Sequence, residues 1–137
     1  MGEETPTDRD KENRRSAYRT ARGELVKSYG EQQIANWLFL NGVEYEYERP
    51  YEVDTATARY SQYRPDFFYP AINAWHEHWA IGHDGEPLFE GYASGMEWKK
   101  DQHRKNKTKL IETTWSNIHR FGMGELKKQL VARGVEF

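Results

Sequence analysis

The sequence contains no cysteine, which excludes disulfide bonds and zinc sites built from thiolates. This composition fits a reducing compartment, and we expect a cytoplasmic protein. Long apolar runs are also missing, and none approaches the roughly 20 residues that a membrane-spanning helix needs. The amino terminus, MGEETPTDRDKENRR, is too highly charged for a secretory signal. The sequence therefore predicts a protein with no contact to a membrane.

A large excess of one charge is absent as well, because the formal net charge is −2. This balance alone argues against strong non-specific binding to nucleic acid. The charge is distributed unevenly, however, since nine basic and three acidic residues lie between Lys99 and Lys128, giving this segment a charge of +6. Clustered positive charge can follow a phosphate backbone, but it is also typical of solvated helix faces. Both interpretations stay open.

Hydrophobic residues make up only 36% of the chain, which is little for a large core. Aromatic residues compensate, because they reach 15%, with five Trp and nine Tyr, and each buries a large area. The length of 137 residues suits one domain. We expect that domain at residues 23–137, preceded by a polar extension over residues 1–22 that is partly disordered or helical.

Hydrophobic periodicity predicts the order helix, three strands, helix, strand, helix. The first helix has a capping-box spacing at its start, with Ser28 and Glu31, and a left-handed terminator in Gly42. Ser94 and Glu97 repeat the capping-box spacing at the start of the second helix. The predicted elements are a helix over 28–41, strands over 43–53, 63–69 and 74–81, a helix over 94–105, a strand over 108–115 and a helix over 123–134.

Short links between the first three strands make them antiparallel neighbours. The fourth strand follows a helix, so it should lie parallel to one of the others. We therefore expect an α/β domain with a single mixed four-stranded sheet flanked by helices.

Two acidic residues lie in strands that are otherwise apolar. Asp66 opens the second strand after Pro65, and Glu77 lies inside the third strand. A buried carboxylate is costly unless it is paired or binds a cation, and adjacent antiparallel strands can bring two such groups together. Hard cations such as Mg²⁺ bind to one or two carboxylates, and a bound metal can activate water for attack on a phosphate. Alternatively, Asp66 is only a strand-start residue and Glu77 faces solvent on an edge strand.

The order of several sequence blocks resembles the PD-(D/E)xK nuclease superfamily, and more narrowly the nuclease domain of bacterial helicases of the DNA helicase IV type. The blocks are VKSYGEQQIANWLFLNGVEYEYERPY (Val26–Tyr51), YRPDFFYP (Tyr63–Pro70), HEHWAIG (His76–Gly82) and YASGMEWKKDQH with TKLIE (Tyr92–Glu112). They cover about two-thirds of the chain. The resemblance implies an αβββαβ core of the restriction-endonuclease type, followed here by a carboxy-terminal helix.

By this resemblance the chain is a metal-dependent deoxyribonuclease that hydrolyses phosphodiester bonds with Mg²⁺ or Mn²⁺. Glu31 would be the acid carried by the first helix, and Asp66 and Glu77 the metal-binding carboxylates, with the His78 carbonyl as a further ligand. Glu31 also has a simpler explanation as the capping-box residue. DNA is the implied partner, together with a helicase domain or subunit, although the sequence has no phosphate-binding GxxxxGK[ST] loop.

The sequence departs from the motif where a lysine is expected, because Trp79 follows Glu77 by two residues. A lysine that has moved to the following helix is a known variation in the superfamily. Lys99 shares a helical stripe with Tyr92 and His103, whereas Lys100 aligns with charged residues. We therefore expect Lys99 to assist catalysis by orienting water or stabilising charge on the phosphate. The alternative is an ordinary surface lysine.

Two other functions remain open. Trp79 in place of the lysine is consistent with a DNA-binding or docking module that has lost cleavage. His76 and His78 share a strand face, and with His83 or His103 they form an alternative zinc or iron site.

Overall fold

The fold is described by a computed structural model, which covers residues 18–137. The part of the amino-terminal extension before Tyr18 lies outside the described residues. The strands are β1 (Tyr18–Arg19), β2 (Leu25–Val26), β3 (Glu46–Tyr47), β4 (Phe67–Tyr69), β5 (Ala74–Trp79) and β6 (Lys109–Thr114). The helices are α1 (Tyr29–Leu40), α2 (Tyr92–Asn106), α3 (Trp115–Phe121) and α4 (Gly124–Ala132). None of these helices is long and apolar enough to cross a membrane.

The first helix begins and ends where the sequence predicts. Ser28 is its amino-terminal cap, and the Ser28 hydroxyl accepts a hydrogen bond from the Glu31 backbone N–H at 3.1 Å. Gly42 follows the helix with a φ of 71°, a conformation that favours glycine. Ile34, Ala35 and Leu38 form the buried stripe of α1. The capping chemistry thus fixes the position of the first turn, which carries Glu31.

The main sheet is mixed and four-stranded, with the order β3-β4-β5-β6. Strands β3, β4 and β5 are antiparallel neighbours, and β6, reached through α2, runs parallel to β5. The prediction of an α/β domain with one mixed sheet flanked by helices is confirmed. From α1 to β6 the elements follow one another as α, β, β, β, α, β.

Both faces of the sheet are covered, because neighbouring residues of β4 belong to different hydrophobic clusters. Phe67 and Tyr69 pack into the larger cluster, and Phe68 packs into the smaller one. The larger cluster includes Ile34, Leu38, Ile111, Leu126 and Leu130, and the smaller one includes Tyr51, Tyr63, Trp75 and Trp98. The central strand β5 is therefore buried on both sides.

Several boundaries differ from the prediction. The burial alternation of the predicted strand over 43–53 is present, with Val43 and Tyr45 buried, but only two residues pair with β4. Glu48 has a φ of 53°, which interrupts the regular strand, although its backbone N–H still donates to the Asp66 carbonyl at 3.0 Å. Helix α2 begins at Tyr92 after the left-handed Gly91, so the predicted Ser94 cap is wrong, and the Ser94 hydroxyl instead donates to the Gly91 carbonyl.

The structure contains three elements that the prediction lacks. The extension over residues 1–22 is predicted to be partly disordered or helical, but its described part contains β1, which pairs with β2 in a short antiparallel ribbon. The end of the predicted fourth strand is the start of α3, because the Thr114 hydroxyl accepts from the Asn117 backbone N–H and caps a new helix. The domain thus has two helices after β6 where one was expected.

Candidate active site

A pocket of about 360 Å³ opens at the end of the sheet where β5 finishes and β4 begins. Its walls come from the first turn of α1, the ends of β4 and β5, the segment before α2, helix α2 and helix α3. Glu31, Asp66, Glu77, His78 and Lys99, which are the five site residues predicted from the sequence, all line it.

The pocket collects the buried charged side chains of the protein. Among residues 18–137, four Asp, Glu, Lys or Arg residues are buried, and each is only 2% to 6% exposed. They are Glu31, Asp66, Glu77 and Lys99. Burial of a formal charge is expensive, so four in one place indicate that the pocket has a purpose beyond packing.

Asp66 reaches the pocket because of the strand register. Phe67 pairs with His76, so Asp66, one residue before β4, lies beside the end of β5. Its carboxylate oxygen Oδ2 accepts a hydrogen bond from the backbone N–H of His78 at 2.8 Å. Asp66 is thus held by the main chain of β5, next to the predicted His78 carbonyl ligand.

Glu77 is supported by a chain of polar side chains on its own face of the sheet. The Tyr63 hydroxyl donates to Glu77 Oε2 at 2.6 Å and lies 3.1 Å from His103 Nε2. His103 Nδ1 is hydrogen-bonded with the Thr108 hydroxyl at 2.8 Å. Burial, followed by the Glu77 charge, holds the pKa of Tyr63 well above its usual value, and burial lowers the pKa of His103 to about 4. Both supporting groups are therefore neutral, and they hold Glu77 without adding charge.

Glu31 is oriented from both sides of the first turn of α1. Its Oε1 accepts from the backbone N–H of Lys27 at 3.2 Å and from the Tyr47 hydroxyl at 2.9 Å. Burial, with the Glu31 charge as the next cause, holds the pKa of Tyr47 well above its usual value, so this hydroxyl keeps its proton. The capping interpretation of Glu31 is therefore incomplete, because the carboxylate also lines the pocket.

Lys99 and Lys100 have opposite environments although they are adjacent. Lys99 is 2% exposed, and its ammonium lies 6.0 Å from the centre of the Tyr63 ring. The Lys100 ammonium lies 3.5 Å from Glu112, with its side chain partly exposed. The helical stripe that distinguishes the two lysines in the sequence is thus observed, and Lys99 is not a surface lysine.

The four histidines of the alternative metal site do not come together. His76 is fully buried, with Nδ1 2.7 Å from the Tyr69 hydroxyl and Nε2 2.8 Å from the Thr113 hydroxyl. Burial, with a smaller effect of His78, lowers the pKa of His76 to about 3. His103 lies on the other face of the sheet and His83 lies against Ser116.

Across residues 18–137, no group of three or more His, Asp or Glu side chains is arranged as a ready-made metal site. Among these residues, neither the carboxylates of the pocket nor the histidines form such a group.

The basic segment does not form one surface. Lys99 lies in the pocket, at the end of β5 where Trp79 pairs with Thr114. Lys109 pairs with Ala74 at the opposite end of the same two strands. The sum of charges over residues 99–128 therefore overstates the positive charge near the pocket.

Sequence reasoning missed four residues that contribute to the site. Tyr63 opens the predicted strand over 63–69, but the observed strand is only Phe67–Tyr69, and Tyr63 supports Glu77 from the irregular segment before it. Gly30 lets α1 approach His78, because a Cβ atom at this position would lie 2.7 Å from His78 Nε2. Trp115 and His119 line the pocket from α3. This helix was not predicted, because the strand-like pattern over 108–115 includes its first residue.

Comparisons with family models, with curated proteins and with solved structures gave no match to this chain. The resemblance to PD-(D/E)xK nucleases therefore rests on the sequence blocks.

Proposed function

We propose that the protein is a metal-dependent deoxyribonuclease that hydrolyses phosphodiester bonds in the pocket. The observation that carries the proposal is the convergence of Glu31, Asp66, Glu77 and Lys99, the four buried charged residues of the described chain, on one cavity. The four residues come from α1, the start of β4, strand β5 and helix α2. Their common position in the pocket agrees with the roles that the sequence blocks imply.

The donor atoms of the pocket fit Mg²⁺ or Mn²⁺. Asp66 and Glu77 offer carboxylate oxygens, and the His78 main chain adjoins Asp66. Hard cations prefer oxygen ligands, and Mg²⁺ commonly takes one or two carboxylates with several waters, so a cluster of three protein ligands is not required. When bound, such an ion polarises a phosphoryl oxygen and lowers the pKa of a bound water.

The protein side chains supply orientation and charge. The His78 backbone N–H and the Tyr63 hydroxyl fix the two carboxylates, which limits their movement when substrate binds. The Lys99 ammonium is the buried cation of the pocket, and it stabilises negative charge on the phosphate. Glu31 stands on the α1 side, where its bond to Tyr47 orients it toward the same cavity.

A cleavage assay on single-stranded, duplex and flapped DNA tests this proposal. We expect cleavage with Mg²⁺ or Mn²⁺, none with EDTA, and loss of detectable cleavage in Asp66→Asn. Asp101→Asn is the matched control, because Asp101 forms a surface ion pair with Arg104 on α2. Uncut DNA in every lane, or full activity in Asp66→Asn, overturns the proposal.

A DNA-binding or docking module without cleavage is the second candidate. Trp79 favours it, because this residue fills the usual lysine position as a buried side chain whose Nε1–H donates to Glu112 at 2.9 Å. DNA binding without cleavage in any metal, unchanged by Lys99→Ala, would support this function over the first.

A further inference from the structure

We propose that the rim of the pocket is a stacking site for unpaired nucleobases, so that single-stranded DNA is the preferred substrate. This inference rests on the proposed nuclease function. Three of the large apolar side chains that are exposed in the described chain line the pocket, namely Tyr29, Leu88 and Phe89. Exposed apolar area next to a polar cavity is a mark of a binding surface.

Tyr29 and Phe89 approach the pocket from different elements. Tyr29 is the first residue of α1 and is 59% exposed, and Phe89 lies before α2 and is 42% exposed. Tyr29 also contacts Tyr18, with 6.2 Å between ring centres. Tyr29 and Phe89 thus add aromatic rings to two walls of the pocket, one formed by the first turn of α1 and one by the segment before α2.

A second aromatic group borders the pocket from α3. The rings of Trp115 and His119 are stacked, with centres 4.8 Å apart and planes 11° apart. The ring of His83 lies beside this pair, with its centre 4.9 Å from that of Trp115 and its plane tilted by 41°. Thr114 caps α3 directly after β6, so the stacked pair is fixed relative to the sheet. Trp115 and His119 both line the pocket, so they add aromatic surface to the wall that α3 forms.

The charges near these rings fit a nucleic acid strand. Lys27 and Lys99 line the pocket together with the carboxylates of the proposed metal site, and Arg120 follows the pocket-lining His119 on α3. Rings beside cations bind single strands, because bases stack on the rings while the phosphates meet the positive charge. Paired bases in a duplex already stack on each other and offer no free faces, and a base must leave the stack to enter such a site.

The size of the pocket supports the same substrate. A volume of about 360 Å³ is near the lower end of the roughly 300–1,000 Å³ that is typical of small-molecule sites. A cavity of this size suits a single nucleotide unit. The rim rings would then hold the neighbouring bases of the strand.

Binding measured without cleavage tests the stacking site directly. Fluorescence anisotropy in EDTA would compare a labelled oligothymidylate strand with a blunt duplex of equal length at fixed salt. We expect the strand to bind more tightly, and Tyr29→Ala and Phe89→Ala each to weaken strand binding by roughly five- to hundredfold, as one lost base stack would. Phe39→Ala is the matched control, because Phe39 is 47% exposed on α1 and does not line the pocket.

The outcomes separate this inference from the nuclease proposal. Cleavage with Mg²⁺ that is equal on strand and duplex, together with unchanged binding in both aromatic variants, overturns the stacking site and leaves the nuclease intact. Strand binding that needs Tyr29 and Phe89, without cleavage in any metal, supports the stacking site and overturns the nuclease. Equal losses in Phe39→Ala and Phe89→Ala also overturn the stacking site.

Discussion

Neighbouring residues of β5 show two ways of burying polar groups in one sheet. His76 belongs to a neutral cluster with Tyr69 and Thr113, in which both ring nitrogens have a hydroxyl partner. Glu77, the next residue, belongs to the charged pocket cluster that we define as Glu31, Asp66, Glu77 and Lys99. The first cluster lies within the core, and the second lines a cavity of about 360 Å³.

The difference indicates which cluster serves stability and which serves chemistry. A buried neutral group with a matched partner costs little free energy, so the neutral cluster is compatible with ordinary packing. A pocket with three buried carboxylates and one buried ammonium is costly, and such concentrations of charge are found at functional sites. We infer that changes to the neutral cluster affect folding and changes to the pocket cluster affect the reaction.

Of the effects that compare neighbouring residues, the largest is expected on the cleavage rate when Lys99 is replaced and Lys100 is not. Lys99→Met keeps the volume of the side chain but removes the ammonium, and we expect cleavage to slow by a factor on the order of 10² to 10³. DNA binding should change little, since one contact among many is a small share of the affinity. Single-turnover cleavage and anisotropy binding, measured on the same variant, separate the two effects.

Lys100→Met is the control for this experiment. Lys100 pairs with Glu112 at the surface, and such pairs contribute about 0–1 kcal/mol to stability. Its cleavage rate at saturating DNA should stay near that of the wild type. Equal losses in the two variants, or a loss only in Lys100→Met, would show that the helix stripe does not define the site.

Two tyrosine variants test the comparison between the neutral cluster and the pocket cluster, because each removes one hydroxyl group, on opposite faces of the sheet. Tyr69→Phe removes the hydroxyl partner of His76 Nδ1, and Tyr63→Phe removes the hydroxyl that donates to Glu77. Each removes one hydrogen bond from a buried polar group, so each should lower the free energy of unfolding by about 1–3 kcal/mol.

Only Tyr63→Phe should also reduce cleavage, by roughly 10- to 100-fold, as loss of an outer-shell partner does at metal sites. Denaturant unfolding and cleavage rates under conditions where both variants are folded provide the test. A similar loss of cleavage in Tyr69→Phe would remove the functional distinction between the two clusters.

Sequence reasoning recovered the parts of the fold that depend on local chemistry. The Ser28 cap, the Gly42 terminator and the succession of helices and strands from α1 to β6 follow from residues close in sequence. The prediction left open which strand β6 pairs with, and the structure shows that it is β5. The stripe on α2 that carries Lys99 was also predictable, because helical geometry alone decides which residues share a face. The roles assigned to these residues remain predictions.

The missed features depend on contacts between distant segments. Tyr63 was predicted to open a strand over 63–69, but it lies before β4, and its contacts with Glu77 and His103 join segments that are distant in sequence. The run before Trp115 has strand-forming residues, and the cap that starts α3 is a threonine that also fits a strand. Nothing in the sequence around Gly30 indicates why this position is a glycine. The reason is visible only in the structure, where His78 lies too close to leave room for a side chain.

The last expected effect is a dependence of stability on pH that involves one histidine on each face of the sheet. Burial lowers the pKa of His76 to about 3 and that of His103 to about 4, below the value of about 6.5 expected in the unfolded chain. The unfolded state therefore binds these protons first, and stability falls as pH decreases below about 6.5. Above that pH the two histidines contribute no pH dependence.

Each histidine should account for a loss of about 2 kcal/mol in the free energy of unfolding between pH 7 and pH 5, close to 1.4 kcal/mol per pH unit once the unfolded histidine is protonated. Urea unfolding across this range measures the total. His76→Asn and His103→Asn, whatever their own stability, should each reduce the slope by a similar amount, because each removes one proton taken up on unfolding. A slope that disappears in His76→Asn but persists in full in His103→Asn would mean that His103 is protonated in the folded state. In that case the support of Glu77 through Tyr63 would involve a charged histidine, and the two faces of β5 would differ in charge as well as in their access to the pocket.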